Sequence, residues 1–197
     1  MPGDPVTASA AVRDGSHDFD FLFGQWRVRN RRLRGRLIGS TDWEEFEATS
    51  VVRPIWGGSG NTDEIVGESP SGPVRGVTLR LYTPGVGQWR IYWASERTGV
   101  VDPPMIGGFR DGRGEFFAQE SHNGRAVYSR FIWSDITPDG AHWEQALSDD
   151  GGATWETNWT MELTRSVPQG ELTLFSDRND PHGLGTTPGP GGDTVWR

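Results

Sequence analysis

Turn-forming pairs cut the chain at intervals of about 8 to 12 residues from residue 25 to residue 165, and this spacing limits the fold more than any other feature. Asp111-Gly112 and Asn123-Gly124 suit tight hairpins whose central residues need positive φ, while Pro84-Gly85-Val86-Gly87 and Pro138-Asp139-Gly140 provide longer turns. Strands are expected over 25–34, 41–53, 61–68, 75–82, 88–95, 105–110, 115–121, 126–135, 141–147 and 154–165. No long helical pattern interrupts them. An open meander of about ten strands leaves two edges unpaired, and closure removes both. The predicted fold class is therefore all-β, a single antiparallel meander barrel.

The segment before the first strand, Asp18-Phe19-Asp20-Phe21-Leu22-Phe23, is too densely apolar for one face of a surface strand. A short helical plug capped by Asp18 is expected, ended by Gly24. Residues 1–16, rich in Pro, Gly, Ala and Ser, read as a mobile leader, 17–165 as the barrel domain, and 166–197 as a Pro/Gly-rich disordered tail. The connection 96–104 reads as a lid or rim loop, and 57–60 as a second rim loop.

Composition narrows the partners. A net charge of -8 and a pI near 5.0 argue against a nucleic-acid groove, which needs clustered positive charge. The basic run Arg27, Arg29, Arg31, Arg32, Arg34 and Arg36 reads as a solvated strand face. The chain has no Cys, so thiolate chemistry is excluded, and no segment approaches the roughly 20 apolar residues of a membrane span. A cytoplasmic protein is expected, without metal or other cofactor and without nucleic-acid or membrane partners. Homodimer formation is left open. Ten Trp residues imply either an aromatic core or a cavity with flat walls.

Alternation assigns the interior. Trp89, Ile91 and Trp93 are expected to face inward, as are Val77, Leu79 and Leu81; Ser129, Phe131 and Trp133; Trp143, Gln145 and Leu147; and Trp155, Thr157, Trp159, Met161, Leu163 and Arg165. Asn30, Gln145 and Glu45 are the candidate polar interruptions, as ligand pockets are chiefly apolar with a few convergent polar groups. Strand 41–53 has two phases. In one, Trp43 and Glu45 face in and the carboxyl pKa rises; in the other, Phe46 faces in and Glu45 is solvated.

Gly24-Gln25-Trp26 at the entrance to the first strand, with Arg165 closing the last, resembles the lipocalin signature, in which the Arg packs across the indole. From His17 to Arg165 the chain also resembles an uncharacterised group of bacterial lipocalin-like proteins, through Asp18-Phe19-Asp20-Phe21-Leu22, Val77-Thr78-Leu79-Arg80-Leu81-Tyr82, Ile91-Tyr92-Trp93-Ala94 and Trp143-Glu144-Gln145-Ala146. This implies a calycin barrel with an internal cavity and supplies no catalytic residues. Ser148 to Trp155 is similar to the sialidase Asp-box; a single copy reads as a hairpin brace.

The favoured function is binding of a small, mostly apolar or aromatic ligand in a cavity lined by Asn30, Trp43, Trp93, Phe131, Trp133, Trp143 and Trp159. The alternative is a cofactor-free cyclase, isomerase or dehydratase of specialised metabolism in the same cavity, with Glu45 as acid or base and Gln145 as donor to a developing oxyanion. A third reading, a haem barrel of the nitrobindin kind, needs an inward His, and His142 is expected outside.

Overall fold

The structure, a computed structural model, describes residues 13–166. Ten strands form the wall: β1 (Gly24–Leu33), β2 (Trp43–Ile55), β3 (Gly60–Ser69), β4 (Gly72–Thr83), β5 (Gln88–Ser95), β6 (Met105–Arg110), β7 (Arg113–His122), β8 (Arg125–Ser134), β9 (Gly140–Ser148) and β10 (Glu156–Arg165). Each pairs antiparallel with its sequence neighbours, and β1 pairs β10, so the barrel is closed. The Asp111-Gly112 and Asn123-Gly124 turns both take positive φ at the two central residues, as primed hairpins require.

The plug is one turn of 3-10 helix, Asp20–Leu22. Asp18 does not cap it; its carboxylate is taken by Arg13 at 2.6 Å. Phe19 is fully buried at the centre of an aromatic cluster, with ring centroids 5.0 Å from Trp89, 4.9 Å from Phe109 and 5.7 Å from Phe116. Gly24 follows at φ 117°, a conformation that turns the chain from plug into wall and that a side chain would resist. Arg165 lies 4.2 Å over the Trp26 ring and donates to the carbonyls of Phe21 and Phe23, both at 2.7 Å. The last strand therefore clamps the plug that precedes the first.

The plug and the turns after β2, β4, β6 and β8 share one end of the barrel, and the remaining turns share the other. Of the segment 57–60, expected as a rim loop, Gly57 and Gly58 belong to a 3-10 turn, Trp56–Gly58, at the plugged end with Gly58 beside His17, and Gly60 begins β3. Of the expected leader, Arg13 to Ser16 are docked: Gly15 donates its N–H to the Tyr82 hydroxyl and accepts from Trp89 Nε1, each at 2.9 Å. Residues 1–12 and 167–197 lie outside the described residues, and most of the expected leader and tail falls there.

Three strand faces differ from expectation. In β4 the buried residues are Val74, Gly76, Thr78 and Arg80, while Val77 is exposed and Leu79 and Leu81 belong to the outer phase. In β10 a bulge between Thr157 and Trp159 breaks the alternation, which leaves Trp155 outside against Phe117 and under Arg130 at 4.6 Å. In β1, Arg27, Arg29 and Arg31 are solvated, whereas Arg32 turns inward between Phe46 and Trp159. The Asp-box turn is a brace: Asp150 accepts from the Thr154 amide at 2.9 Å, the Thr154 hydroxyl at 2.6 Å and the Ser148 hydroxyl at 2.8 Å.

Candidate ligand cavity

Above the plug the barrel encloses a cavity of about 990 Å³ with Leu22 in its floor. That volume is in the range of small-molecule sites. The wall holds it open because each inward residue stands on a hydrogen-bonded ladder that cannot collapse without breaking pairs. One side is an aromatic run, in which Phe131 meets Trp143 edge-on at 4.9 Å and Trp143 meets Trp159 at 5.8 Å. Trp133 and Trp93 line other parts of the cavity. Trp93 lies over Gly76, where an added Cβ would collide with the indole; the absent side chain on β4 is what lets that ring lie flat.

Two of the expected ligand residues stand elsewhere. Asn30 is on the inner phase of β1 but is fully buried beneath Trp159 and does not line the cavity, with both polar groups engaged, its Oδ1 accepting from Trp159 Nε1 and its Nδ2 donating to the Val28 carbonyl, each at 3.0 Å. Its hydrogen bond fixes the Trp159 ring. Trp43 is on the outer phase of β2, with Arg31 stacked 5.2 Å from its ring.

Glu45 shares that outer phase and pairs with Arg29 and Arg31, both at 3.1 Å. The Arg29 hydrogen bond holds its carboxyl below the ordinary range, the reverse of the raised pKa that a buried acid-base group would have. The inner phase is Glu44, Phe46, Ala48, Ser50 and Val52. Gln145 does line the cavity, nine-tenths buried, and its amide has no protein partner among the described residues.

Sequence reasoning missed the charged groups inside. At the floor, Arg80 and Asp63 form an ion pair of 2.5 Å with both side chains more than nine-tenths buried. Ser50 donates to the second Asp63 oxygen at 3.0 Å, and Arg80 also donates to Asn61 Oδ1 at 2.9 Å while stacking 5.4 Å from Phe19. Near the mouth Glu44 accepts from Arg32 at 2.6 Å and from the Ser71 hydroxyl at 2.6 Å. Burial alone would raise Glu44, but Ser71 and Arg32 outweigh it and keep it below the ordinary carboxylate range. The available signal was the interleaving of Thr78 and Arg80 with Val and Leu on one strand. Charge complementarity to Asp63 emerges only from the β3–β4 register, in which Asp63 opposes Thr78 and Asn61 opposes Arg80.

The mouth is framed by the β1–β2 loop, the β3–β4 turn, the β5–β6 connection and the β7–β8 turn, represented by Arg36, Ser71, Asp102 and His122. The connection 96–104 is thus a rim element. His142, on β9, points away from the cavity, with Nδ1 2.6 Å from Glu162 on the outer face.

No protein-family model matches the chain, and no curated protein matches it. Among solved structures, one described as a de novo design of a fluorescence-activating beta barrel is similar at 16% identity with a TM-score of 0.42, covering 76% of this chain and 97% of that one.

Proposed function

We propose that this protein is a lipocalin-like barrel that binds one small, mostly apolar, flat molecule inside the cavity. The observation that carries the reading is the pre-formed 990 Å³ space walled by Trp93, Phe131, Trp133, Trp143 and Trp159. Flat aromatic walls favour a conjugated or ring-bearing ligand, which gains contact area and edge-to-face interactions at little entropic cost. Gln145, without a partner in the wall, gives such a ligand one hydrogen bond at mid-cavity.

The enzymatic alternative rested on Glu45 as the acid or base, and Glu45 is a solvated, Arg-paired group outside the wall. The haem reading needed an inward His142, which is outside as well. Ligand binding keeps its whole set of wall residues apart from Asn30 and Trp43.

Titration with Nile red tests the reading. Saturable quenching of Trp emission with a blue-shifted dye spectrum is expected, at one dye per chain, and Trp143→Ala should weaken it. Unchanged Trp emission across a panel of neutral and anionic hydrophobic dyes would overturn it.

A further inference from the structure

Most of the arginines that line the cavity are paired, whereas two of its acids, Asp102 and Glu120, make no ion pair among the described residues. Arg32 pairs with Glu44 at 2.6 Å, Arg75 with Glu96 at 3.7 Å and Arg80 with Asp63 at 2.5 Å, while Arg34 reaches Glu44 at 3.5 Å. Arg97 is exposed to solvent. Arg36 is different: it lines the cavity half-buried and makes no ion pair or side-chain hydrogen bond among the described residues.

The local fold accounts for its position. The β1–β2 loop bends at Leu37, φ 58°, and the Leu37 amide donates to Glu156 Oε1 at 2.7 Å, which ties the loop to the start of β10. Arg36 to Ile38 then lie against the β7–β8 turn, sharing a small cleft with His122, Asn123 and Arg125. Glu156 is engaged by that amide. Burial pushes the Arg36 guanidinium below its ordinary value and Arg32 adds to the push; Glu120 and Glu156 act against it from a distance without pairing, so the partly desolvated cation has no direct partner.

Resting on the ligand-binding reading above, we infer that the ligand is an apolar monocarboxylate with a conjugated body, its acid group held at the mouth by Arg36 and its body lying against the tryptophans. A guanidinium binds a carboxylate through two parallel N–H donors, and a partly desolvated pair is stronger than one in water. The paired Arg80 leaves the floor without net charge, which sets the direction of insertion: acid outward, apolar end toward Leu22.

Parinaric acid and its methyl ester separate this inference from the reading beneath it, since both carry the same polyene and only the acid is charged at pH 7. Each is titrated by polyene fluorescence into wild type, Arg36→Gln and Arg36→Lys, with thermal melts confirming that all three fold. A charged hydrogen bond to a ligand corresponds to about 10- to 100-fold in affinity. The acid should bind wild type tighter than the ester by that factor. Arg36→Gln should bring the acid down to the ester, and Arg36→Lys should recover part of the difference. Equal affinity of acid and ester for wild type, or an acid preference that survives in Arg36→Gln, overturns the inference and leaves the cavity reading standing. If neither compound binds while Nile red does, the inference falls and the cavity reading stands; if the whole dye panel also fails, both fall.

Discussion

Arg165→Met tests the clamp that joins the two ends of the wall. The substitution keeps an unbranched side chain of similar reach and removes the guanidinium. It takes away the donors to the Phe21 and Phe23 carbonyls, both at 2.7 Å and partly buried, and the cation 4.2 Å above Trp26. The third bond, to the Pro138 carbonyl at 2.6 Å, is solvent-exposed and contributes little once water replaces it. Each partly buried acceptor that loses a charged donor costs about 1 kcal/mol or slightly more. The lost cation over the indole adds about 0.5 to 1 kcal/mol. The expected destabilisation is therefore about 3 kcal/mol, or roughly 6 to 12 °C in Tm for a domain of this size. Urea unfolding followed by Trp emission measures it, and an unchanged m-value would show that the native wall is otherwise intact. Arg165→Lys retains the charge and loses the fork, so it should fall between. A loss below about 1 kcal/mol in Arg165→Met would refute the view that this residue holds plug to wall.

Three further outcomes follow from the geometry. Removing one partner of the floor ion pair, as in Asp63→Leu or Arg80→Met, should destabilise by about 3 to 5 kcal/mol, and the two changes combined should cost less than either alone; strictly additive losses in this double-mutant cycle would contradict the coupling. Gly76→Ala drives a Cβ into the Trp93 ring, so it should narrow the cavity and weaken Nile red binding, and a titration matching wild type would show that the indole moves freely. Asp150 is held down to about 2 by its Thr154 and Ser148 hydrogen bonds. A lowered carboxyl pKa stabilises the fold above the unfolded value of about 3.9 and loses that contribution as pH falls toward 2. Asp150→Asn should flatten the acid limb of the stability profile in this window, and an unaltered limb would argue against the brace.

The bounds of the strands were legible because turn chemistry is local. Asp111-Gly112 and Asn123-Gly124 need only their own φ preferences to make a primed turn, and strands β5 (Gln88–Ser95) and β6 (Met105–Arg110) match their expected ranges. Closure was legible as well, through Trp26 and Arg165, which occupy opposite ends of the domain sequence and stand directly across from one another in the sheet. The aromatic wall from Phe131 to Trp143 could be read because Phe131 and Trp133 on β8 stand directly across from Gln145 and Trp143 on β9, on one phase of each strand.

The inside of the cavity was a different matter. Apolar residues mark the inward face only where that face is packed, and a hollow interior rewards polar groups that find partners across strands. On β4, residue type favoured Val77, Leu79 and Leu81, whereas Arg80 is stable inside because Asp63, Asn61 and Phe19 converge on it. On β2, Glu44 and Glu45 are equivalent by composition, and the positions of Arg32 within and of Arg29 and Arg31 without decide between them. The amino-acid sequence by itself therefore determined where the chain turns and that its edges must close. Which residues meet in the hollow was decided only by strand register, the β10 bulge and the loop that carries Arg36, because each of these depends on neighbours far away along the chain.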